Sequence, residues 1–362
     1  MSDAGTLRII SGVGSKGPAC FILEVQGKRL MLDLGYGPQP GLWPNVDGVG
    51  KVDALVLTHS HKDHIGGLSL LPKVGNPPIY CTEITGKKLP AGMPFKPLPL
   101  SAGSKVKIEG IDVETGRNGH APGGIWLRFH SGTGFLYTGD YSTESALYAY
   151  DPPPKSRTAL FDCSYGEDDT PLAERQNALA PHLADDVLLP APADGRGPDI
   201  ALHLHRNGKV IHFDDATRDA VRDLLGIARV YLRDGVEREL TELAGKALPP
   251  GDRKGATFAT PATCDGGAAS KLVTQWEHAS QPAIVFTGYI PPGTPADRLV
   301  KSGRATFLRW NVHPRLSDTI ALVRATGAAT VIPAFCDRKF LPALQAALKP
   351  ANVTMDQVII LK

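Results

Sequence analysis

The chain has 362 residues, of which 42% are hydrophobic and 21% are charged, and its formal net charge is +2. A chain of this length can bury a large core and is expected to form two lobes. The composition is typical of an ordinary globular protein, and no apolar run is long enough to span a bilayer. The nearly neutral charge neither demands nor excludes nucleic acid as a partner.

The cysteines and the N-terminal residues bear on the cellular compartment. The five cysteines are scattered without a Cys-x-x-Cys pair, so neither a disulfide framework nor a thiolate zinc site is expected. The opening residues, Met-Ser-Asp-Ala-Gly-Thr, contain neither a basic region nor an apolar segment, so no secretory signal is visible. We therefore expect free thiols and a cytoplasmic location.

The chain begins with segments that are typical of β-strands. Residues 7–10 and 19–25 are strand-like, and a third strand over 29–33 ends with Asp33, two residues before Gly35. The Asp33 carboxylate would orient a ligand imidazole from behind if a metal site lies nearby. An Asp in this position also begins turns, and the sequence leaves both interpretations open.

A dense group of metal-binding residue types follows the next strand. The apolar run 52–57 predicts a buried strand, and residues 59–64 then read His-Ser-His-Lys-Asp-His. Alternate residues project to different sides, so we expect His59 and His61 to bind one cation and Asp63 and His64 a second. Imidazole and carboxylate suit Zn²⁺, with Mn²⁺ or Fe as further options. The alternative is a His-rich surface turn that binds no metal.

The remainder of the first half is predicted to be mainly strand. A helix is expected to begin within residues 68–71, and strands are expected over 77–81, 105–108, 111–115, 125–129 and 134–141. His120 and Asp140 each follow a glycine at a strand end, where the backbone can approach a site closely. Either one alone is a plain loop residue, but together with the motif at 59–64 they complete a ligand set.

The motif at residues 59–64, placed after a buried strand, resembles the signature of the metallo-β-lactamase superfamily. Members of this superfamily have an αββα sandwich fold and hydrolyse esters, amides, thioesters and phosphodiesters. The resemblance implies that His120 supplies the third histidine of one metal site and that Asp140 bridges two metals. It implies an α/β fold and a metal centre, and it leaves the substrate undecided.

The second half resembles the β-CASP branch of metallo-β-lactamase nucleases. Residues 159–166 are similar to its acidic strand end, and residues 187–199 are similar to its Pro-x-x-x-x-Gly-Arg segment, with Asp199 in place of Glu. The remaining motifs of the branch are matched, in order, by 287–294, 310–313 and 331–335. The similarity thus extends over nearly the whole chain.

The resemblance also implies a domain division. The metallo-β-lactamase domain would comprise residues 1–167 and 306–362, and a shortened α/β β-CASP domain would be inserted over 168–305. Within the insertion, 219–225 is helical by pattern, as is 268–276. A proline-rich zone that begins at 151 precedes the insertion and is typical of a linker.

The resemblance assigns catalytic roles as well. Two divalent ions would share a hydroxide that attacks the phosphorus. Asp63 would be among the catalytic residues. His313 would be the general acid on the side of the leaving oxygen, and Asp162 would orient it. A carboxylate that is hydrogen-bonded to an imidazole fixes its tautomer and raises its pKa, so that a proton stays available near neutrality.

Phe335 is a departure from the branch. RNA-cutting members carry a His here that completes the second metal site, and Phe cannot bind metal. The second site would then hold only Asp63, His64 and Asp140, and it is expected to bind weakly or only with substrate. DNA-processing members such as Artemis also lack this His and have Asp at the position of Asp162, whereas 164–166 resembles RNA-cutting members such as RNase J. RNA and DNA both stay open.

The leading hypothesis is a metal-dependent nuclease with two zinc ions that cuts RNA or DNA in the cleft between the lobes. One alternative is a lactonase- or thioesterase-type hydrolase, and another is a catalytically weakened scaffold that binds nucleic acid. A homodimer is a further possibility, and endonuclease and exonuclease activity are both open. Phosphates are generally bound by scattered basic residues, and the candidates are Arg196, Lys209, Arg298, Arg304, Arg309 and Arg315.

Overall fold

The structure is a computed structural model that describes residues 5–101, 103–183, 185–251 and 254–361. Within these ranges the strands form two seven-stranded sheets and one five-stranded sheet. No helix in the described part of the chain combines the length and the apolarity that crossing a membrane requires.

The first sheet is built from both ends of the chain. Its strand order is β19-β1-β2-β3-β4-β5-β6, in which β3, β4, β5 and β6 run parallel. The strands are β1 (Thr6–Ser11), β2 (Cys20–Val25), β3 (Lys28–Leu32), β4 (Ala54–Val56), β5 (Ile79–Cys81), β6 (Phe95–Pro97) and β19 (Val358–Ile360).

The second sheet has the order β18-β17-β11-β10-β9-β8-β7, in which β10, β11, β17 and β18 run parallel. The strands are β7 (Ser104–Ile108), β8 (Ile111–Arg117), β9 (Ile125–Phe129), β10 (Phe135–Tyr137), β11 (Thr158–Asp162), β17 (Thr330–Ala334) and β18 (Asn352–Val353).

These two sheets pack face to face. Alternate side chains of a strand point to opposite faces, so one set enters the core between the sheets and the other set faces outward. In β2, Phe21 and Leu23 enter the core between the sheets, whereas Cys20 and Ile22 pack on the outer face. Helices cover the outer faces, which makes the αββα sandwich expected from the sequence. These helices are α1 (Lys62–Ile65), α2 (Glu83–Lys87), α9 (Leu316–Thr326), α10 (Leu341–Ala347) and the 3₁₀ helix Leu68–Val74.

The third sheet is parallel throughout, with the order β13-β14-β12-β15-β16. Its strands are β12 (Val187–Pro190), β13 (Ile211–Phe213), β14 (Ala256–Ala259), β15 (Ala283–Phe286) and β16 (Ala305–Phe307). Helices pack on both faces, as is usual for parallel sheets. They are α3 (Leu172–Leu179), α4 (Arg196–Arg206), α5 (Asp215–Leu225), α6 (Val236–Lys246), α7 (Gly267–Trp276) and α8 (Pro295–Lys301).

The predicted elements agree with the observed ones except around the metal motif and over residues 134–141, of which only Phe135–Tyr137 form a strand, β10. The helix expected to begin within residues 68–71 is the 3₁₀ helix Leu68–Val74, and a one-turn helix, α1, begins earlier, inside the motif at Lys62. The third sheet extends two residues beyond 305, because β16 runs Ala305–Phe307 and pairs with β15. The exact domain boundaries stay a prediction.

Candidate metal centre

The candidate metal centre lies where the parallel strands of the first two sheets end. In β3 and β4, Leu32 pairs with Val56, so Asp33 follows one strand end and Thr58 comes soon after the other. The Thr58 amide donates to Asp33 Oδ1 at 2.7 Å. In the second sheet, Asp140 follows β10 and Asp162 ends the neighbouring parallel strand β11. Parallel strands bring their carboxyl ends to one edge, and this edge collects the candidate side chains.

Three histidines and one aspartate form the first cluster. His59, His61, His120 and Asp140 each place a ligand atom within 4.8 Å of the others. Nε2 of His120 lies 3.0 Å from Nδ1 of His61 and 3.5 Å from Oδ2 of Asp140. Nε2 of His59 lies 3.8 Å from the same carboxylate oxygen. This arrangement gives three imidazole nitrogens and one carboxylate, a donor set that zinc accepts.

Asp140 also belongs to a second cluster, with Asp63 and His64. Its Oδ1 lies 3.2 Å from Nε2 of His64, so the two oxygens of the carboxylate face two different groups of ligands. The ring of Phe335 is buried and packs 5.1 Å from the His64 ring. The second cluster thus has three candidate ligands, with an aromatic ring on one side.

The buried polar atoms of the centre are arranged as expected for a site that binds a cation. Nε2 of His59 is buried and has no hydrogen-bond partner among the described residues, and the buried Nε2 of His64 and Oδ1 of Asp140 have only their 3.2 Å approach to each other. Buried polar atoms without partners are rare because each costs free energy. Here all three are potential ligand atoms that face the two clusters, and a bound metal ion would pair them.

Two of the histidines are held from behind by side chains. Nδ1 of His64 lies 2.8 Å from Oδ2 of Asp33, and Nδ1 of His59 lies 3.2 Å from Oγ1 of Thr58. Asp33 is itself fixed, because it accepts hydrogen bonds from Thr58 and from the Tyr137 hydroxyl at 2.6 Å. Such partners set the tautomer and the orientation of ligand imidazoles, and Asp33 has the position that the sequence suggested for it.

The other two histidines are held by backbone carbonyls, which the sequence did not reveal. Nε2 of His61 donates to the Asp194 carbonyl at 2.7 Å, and Nδ1 of His120 donates to the Val312 carbonyl at 2.6 Å. Gly195, which follows Asp194, has a φ of +113°, a conformation that favours glycine. A Cβ on Gly195 would lie 3.2 Å from the His120 carbonyl oxygen and 3.5 Å from Nε2 of His61.

Burial and the crowding of charge shift the pKa values in the centre. Burial, together with the neighbouring imidazoles, holds the pKa of His59 well below its usual value, so His59 is neutral and able to bind metal. Burial likewise lowers the pKa of His120. Although burial acts to raise the pKa of Asp140, His64 and His313 hold it well below the ordinary range, so this carboxyl is ionised.

His313 and Asp162 form a hydrogen-bonded pair beside the clusters. Nδ1 of His313 lies 2.7 Å from Oδ2 of Asp162 and 3.7 Å from Oδ2 of Asp140. Oδ1 of Asp162 accepts hydrogen bonds from the amide of Ser164 at 2.9 Å and from its hydroxyl at 2.6 Å. The carboxylate is fully buried and fixed, and it orients an imidazole that is half-buried.

A cavity of about 590 Å³ opens over this group. His61, Asp63, His120, Asp140 and His313 line one side of it. Residues of the third sheet and its loops line the other side, among them Ala193, Asp194, Arg196, Thr260, Pro261 and Tyr289. The candidate ligands thus face a space between the αββα sandwich and the inserted sheet.

Two of the predicted phosphate contacts lie away from this cavity. Arg298 on α8 is exposed and pairs with Glu277 at 2.8 Å. Arg315 pairs with Asp318 at 3.0 Å and with Glu144 at 3.3 Å. Neither arginine lines the cavity, so the structure does not support the predicted contacts of these two residues. The physical reason is that acidic neighbours already engage their charges.

The other four predicted phosphate contacts differ in whether they line a cavity. Lys209 and Arg304 donate to backbone carbonyls and are also absent from the cavity wall. Arg309 lines a smaller neighbouring cavity and pairs with Asp168 at 2.7 Å. Arg196 lines both cavities.

Comparison with known proteins agrees with this geometry. The family model described as the metallo-beta-lactamase superfamily matches residues 14–172, which contain all six candidate metal ligands. Residues 14–172 thus form a metallo-β-lactamase domain. The match begins in the loop after β1 and runs beyond β11.

Curated relatives confirm the resemblance to the β-CASP branch. Transcription termination factor FttA of Methanosarcina mazei is 30% identical over 85% of this chain and 61% of its own length. Endoribonuclease YSH1 of Gibberella zeae is 23% identical over 83% of this chain and 46% of its own length. Human DNA cross-link repair 1A protein is 35% identical over 34% of this chain and 13% of its own length. The chain thus spans less than two thirds of each of these relatives.

A solved structure extends the similarity of fold over the whole chain. A protein of unknown function from Enterococcus faecalis aligns with a TM-score of 0.60, 13% sequence identity, and coverage of 99% of this chain and 100% of the other. At this identity the match concerns the fold alone. The inserted third sheet therefore accompanies the metallo-β-lactamase sandwich in another protein.

Proposed function

We propose that this protein is a zinc-dependent nuclease that hydrolyses phosphodiester bonds of RNA or DNA in the cavity between the sandwich and the inserted sheet. The observation that carries the proposal is the His313–Asp162 pair, which lies directly beside the metal-ligand clusters, with Nδ1 of His313 3.7 Å from Oδ2 of Asp140. A lactonase or thioesterase has no evident need for a second acid held in this way. The names of the relatives, which include an endoribonuclease and a DNA repair protein, support the same class of substrate.

His59, His61, His120 and Asp140 would hold one zinc ion, and Asp63, His64 and Asp140 would hold a second. When bound, such ions supply Lewis-acid chemistry to phosphoryl oxygens and to water. Because Phe335 offers no ligand, the second site is proposed to bind zinc more weakly than the first, and Mn²⁺ is an alternative occupant.

The remaining chemistry belongs to residues of this chain. The Asp162 carboxylate stabilises a proton on Nδ1 of His313, so Nε2 of the protonated imidazole can donate its proton to the leaving oxygen. Asp63 lines the same cavity on the side of the metal ligands. The carbonyls of Asp194 and Val312 hold His61 and His120 in fixed orientations, which keeps the ligand geometry constant during the reaction.

The decisive experiment measures cleavage of end-labelled single-stranded RNA and DNA beside simple ester and lactam substrates. Wild type should cleave at least one nucleic acid and bind zinc. His59→Ala should lose both zinc and cleavage, and His313→Ala should lose cleavage but keep zinc. His278→Ala is a matched control, since its side chain is 90% exposed and belongs neither to the candidate metal clusters nor to the cavity wall.

Turnover of esters or lactams alone would reject the nuclease and favour a small-molecule hydrolase. Binding of nucleic acid without cleavage across Zn²⁺, Mn²⁺ and Mg²⁺ would favour a non-catalytic scaffold. The length distribution of the labelled products separates endonuclease from exonuclease activity. The homodimer stays a prediction that light scattering would test, and the cytoplasmic location stays a prediction as well.

A further inference from the structure

The turn at Asp194 and Gly195 lies between β12 and α4, and it contacts two histidines of the first metal-ligand cluster. The Asp194 carbonyl accepts a hydrogen bond from Nε2 of His61 at 2.7 Å. A Cβ on Gly195 would lie 3.2 Å from the His120 carbonyl oxygen, so the backbone approaches the cluster more closely than a larger residue permits. A loop of the inserted sheet thus bears directly on a candidate zinc ligand.

The contact with Asp194 selects one form of the His61 ring. A neutral imidazole has one protonated nitrogen and one nitrogen with a free lone pair. With its proton on Nε2, donated to the Asp194 carbonyl, the ring keeps the lone pair on Nδ1, which lies 3.0 Å from Nε2 of His120 inside the cluster. Without the carbonyl, the proton is free to move to Nδ1 and the ring is free to rotate. The place of this carbonyl therefore determines whether His61 is ready to bind zinc.

The turn is held in turn by Tyr148, which lies in the connection between β10 and β11. The Tyr148 hydroxyl donates a hydrogen bond to the Gly195 carbonyl at 2.9 Å, and the Asp199 amide donates to the same oxygen at 3.4 Å. Only 2% of Tyr148 is exposed. Burial holds the pKa of its hydroxyl well above the ordinary value, so the hydroxyl stays a donor.

The backbone of Tyr148 is fixed at both ends. Its amide donates to Oγ of Ser145 at 2.9 Å, and its carbonyl accepts from Nε of Arg233 at 3.2 Å. A buried tyrosine hydroxyl usually finds some partner, and that need alone does not imply a role. Here the accepting residue, Gly195, directly follows the residue whose carbonyl holds His61, so the anchored ring limits the movement of that carbonyl.

We propose that Tyr148 is a positioning residue of the first metal site, because its hydroxyl holds Gly195 and thereby keeps the Asp194 carbonyl on Nε2 of His61. The inference rests on the proposed function, since it concerns the zinc ion of the first cluster. Tyr148 is not among the described residues that line the cavity over the ligands, so its effect passes through the turn.

Zinc affinity of the full chain, measured by competition with a chelator, tests the proposal. Tyr148→Phe removes the hydroxyl and keeps the buried ring, and it should weaken zinc binding roughly three- to tenfold, as expected for the loss of one hydrogen bond. Tyr150→Phe is the matched control. The Tyr150 ring stacks on Tyr141, and its hydroxyl has no hydrogen-bond partner in the described part of the chain, so the variant should bind zinc like wild type.

Gly195→Ala disturbs the same turn from the side of the cluster. The added Cβ would lie 3.5 Å from Nε2 of His61, in a residue whose φ is +113°, and the displaced turn should weaken zinc binding roughly ten- to a hundredfold. Gly235→Ala controls for backbone strain, because Gly235 has a φ of +81° and a Cβ there would meet no atom within 4 Å. Wild-type zinc affinity is expected for this control.

Exchange of the His61 Nε2 proton with solvent separates positioning from a general loss of stability. NMR of the zinc-loaded, histidine-labelled protein follows this proton, and its signal is assigned by its loss in His61→Gln. The proton should exchange slowly in wild type and in Tyr150→Phe, and faster in Tyr148→Phe. Weaker zinc binding with unchanged exchange would show a merely structural role and overturn the proposal, as would wild-type zinc affinity in Tyr148→Phe or an equal loss in Tyr150→Phe.

If Tyr148→Phe does not fold, Gly195→Ala decides: wild-type zinc affinity in this variant overturns the proposal, and weaker binding than in Gly235→Ala supports it. The nuclease and the positioning role fail in different ways. If wild type binds zinc but cleaves no nucleic acid, the nuclease falls, and the zinc affinity of Tyr148→Phe still decides the role of Tyr148. If wild type cleaves and Tyr148→Phe binds zinc equally well, the positioning role alone falls. Absence of zinc binding in wild type would overturn both.

Discussion

Each metal-ligand histidine has one ring nitrogen toward the clusters and the other against a fixed partner. The partners are a carboxylate, a hydroxyl and two backbone carbonyls, contributed by Asp33, Thr58, Asp194 and Val312. Because both nitrogens of each ring are committed, rotation of any imidazole breaks a hydrogen bond as well as a ligand contact. The centre is therefore organised before metal arrives.

Asp162 should act by positioning His313. Asp162→Asn is expected to lower kcat by about a hundred- to ten-thousand-fold, because an amide cannot stabilise the imidazolium and admits the wrong tautomer. KM and zinc content should stay close to wild type. An unchanged kcat, or zinc lost together with kcat, would contradict this assignment.

Phe335 should weaken the second metal site. Phe335→His places a nitrogen donor near His64, and it is expected to raise the zinc bound per chain in metal analysis after dialysis. Phe335 is also one of few described non-glycine residues with positive φ, at +58°, a conformation that the wild-type Phe and the substituted His must both adopt at this position. Phe340→His, outside the centre, is the control; equal zinc content in the two variants would reject the idea.

At the scale of elements, the inserted sheet is attached to the sandwich through a buried carboxylate on α4. Asp199 accepts hydrogen bonds from the Ser145 hydroxyl at 2.8 Å, the Leu147 amide at 3.2 Å and the Trp310 indole at 2.9 Å. These donors lie in chain segments that precede and follow the insertion. Asp199, at the position where the β-CASP motif has Glu, thus links the first half of α4 to the chain segments before and after the insertion.

Replacing this carboxylate should loosen the attachment. Asp199→Asn keeps one oxygen but turns an NH₂ group toward a donor, and it should reduce the free energy of unfolding by about 1–3 kcal/mol. Urea denaturation measures this loss. Asp219→Asn, on the exposed face of α5, should unfold like wild type; an equal loss in both variants would show that the hydrogen bonds of Asp199 are not the cause.

A contact within the sandwich is expected to be sensitive to pH. The Asp151 carboxylate accepts hydrogen bonds from Arg117 at the end of β8, from Nη2 at 2.6 Å and from the backbone amide at 2.8 Å. Although burial acts to raise it, these hydrogen bonds hold the pKa of Asp151 below the ordinary 3.8. A lowered pKa in the folded state means that the ionised pair stabilises the protein above pH 3.8, and that this stabilisation disappears as pH falls through the lower, folded-state value.

Asp151→Asn should therefore lower the free energy of unfolding by about 1–3 kcal/mol near neutral pH, and the difference from wild type should shrink below pH 4 or so. Urea titrations at a series of pH values measure it. Asp112→Asn removes an exposed partner of Lys107 and should leave stability unchanged. A difference for Asp151→Asn that grows on acidification would contradict the sign of the pKa shift.

For the whole molecule, metal and folding should be coupled. The clusters combine ligands from both sheets, and a buried ligand atom, Nε2 of His59, has no hydrogen-bond partner within the described part of the chain. A cation that binds only the folded chain stabilises it by about 4 kcal/mol at a thousand times its dissociation constant. Chelation should therefore lower the melting temperature in calorimetry, and His59→Ala should be far less sensitive to chelator. No change in wild type would contradict a structural coupling.

The metal ligands were predictable because local chemistry marks them. His59, His61, Asp63 and His64 follow a buried strand at close spacing, which singles them out. His120 and Asp140 follow glycines at strand ends, and they were recognised only together with that motif and the family resemblance. Asp162 and His313 needed the family resemblance, because a single acid or histidine in a loop has no local mark. The structure brings all eight residues together, and five of them, His61, Asp63, His120, Asp140 and His313, line one cavity.

What supports and surrounds these ligands was decided only in three dimensions. The carbonyls of Asp194 and Val312 bind histidines, yet every residue has a carbonyl, so sequence contains no trace of which ones do. Whether an arginine is free or neutralised depends on which acids the fold places beside it: Arg298 and Arg315 are paired, whereas Arg196 is not. The spacing of residues along the sequence determines which side chains can bind a metal together. Long-range packing determines which basic side chains are already paired with acids and which remain available to a substrate.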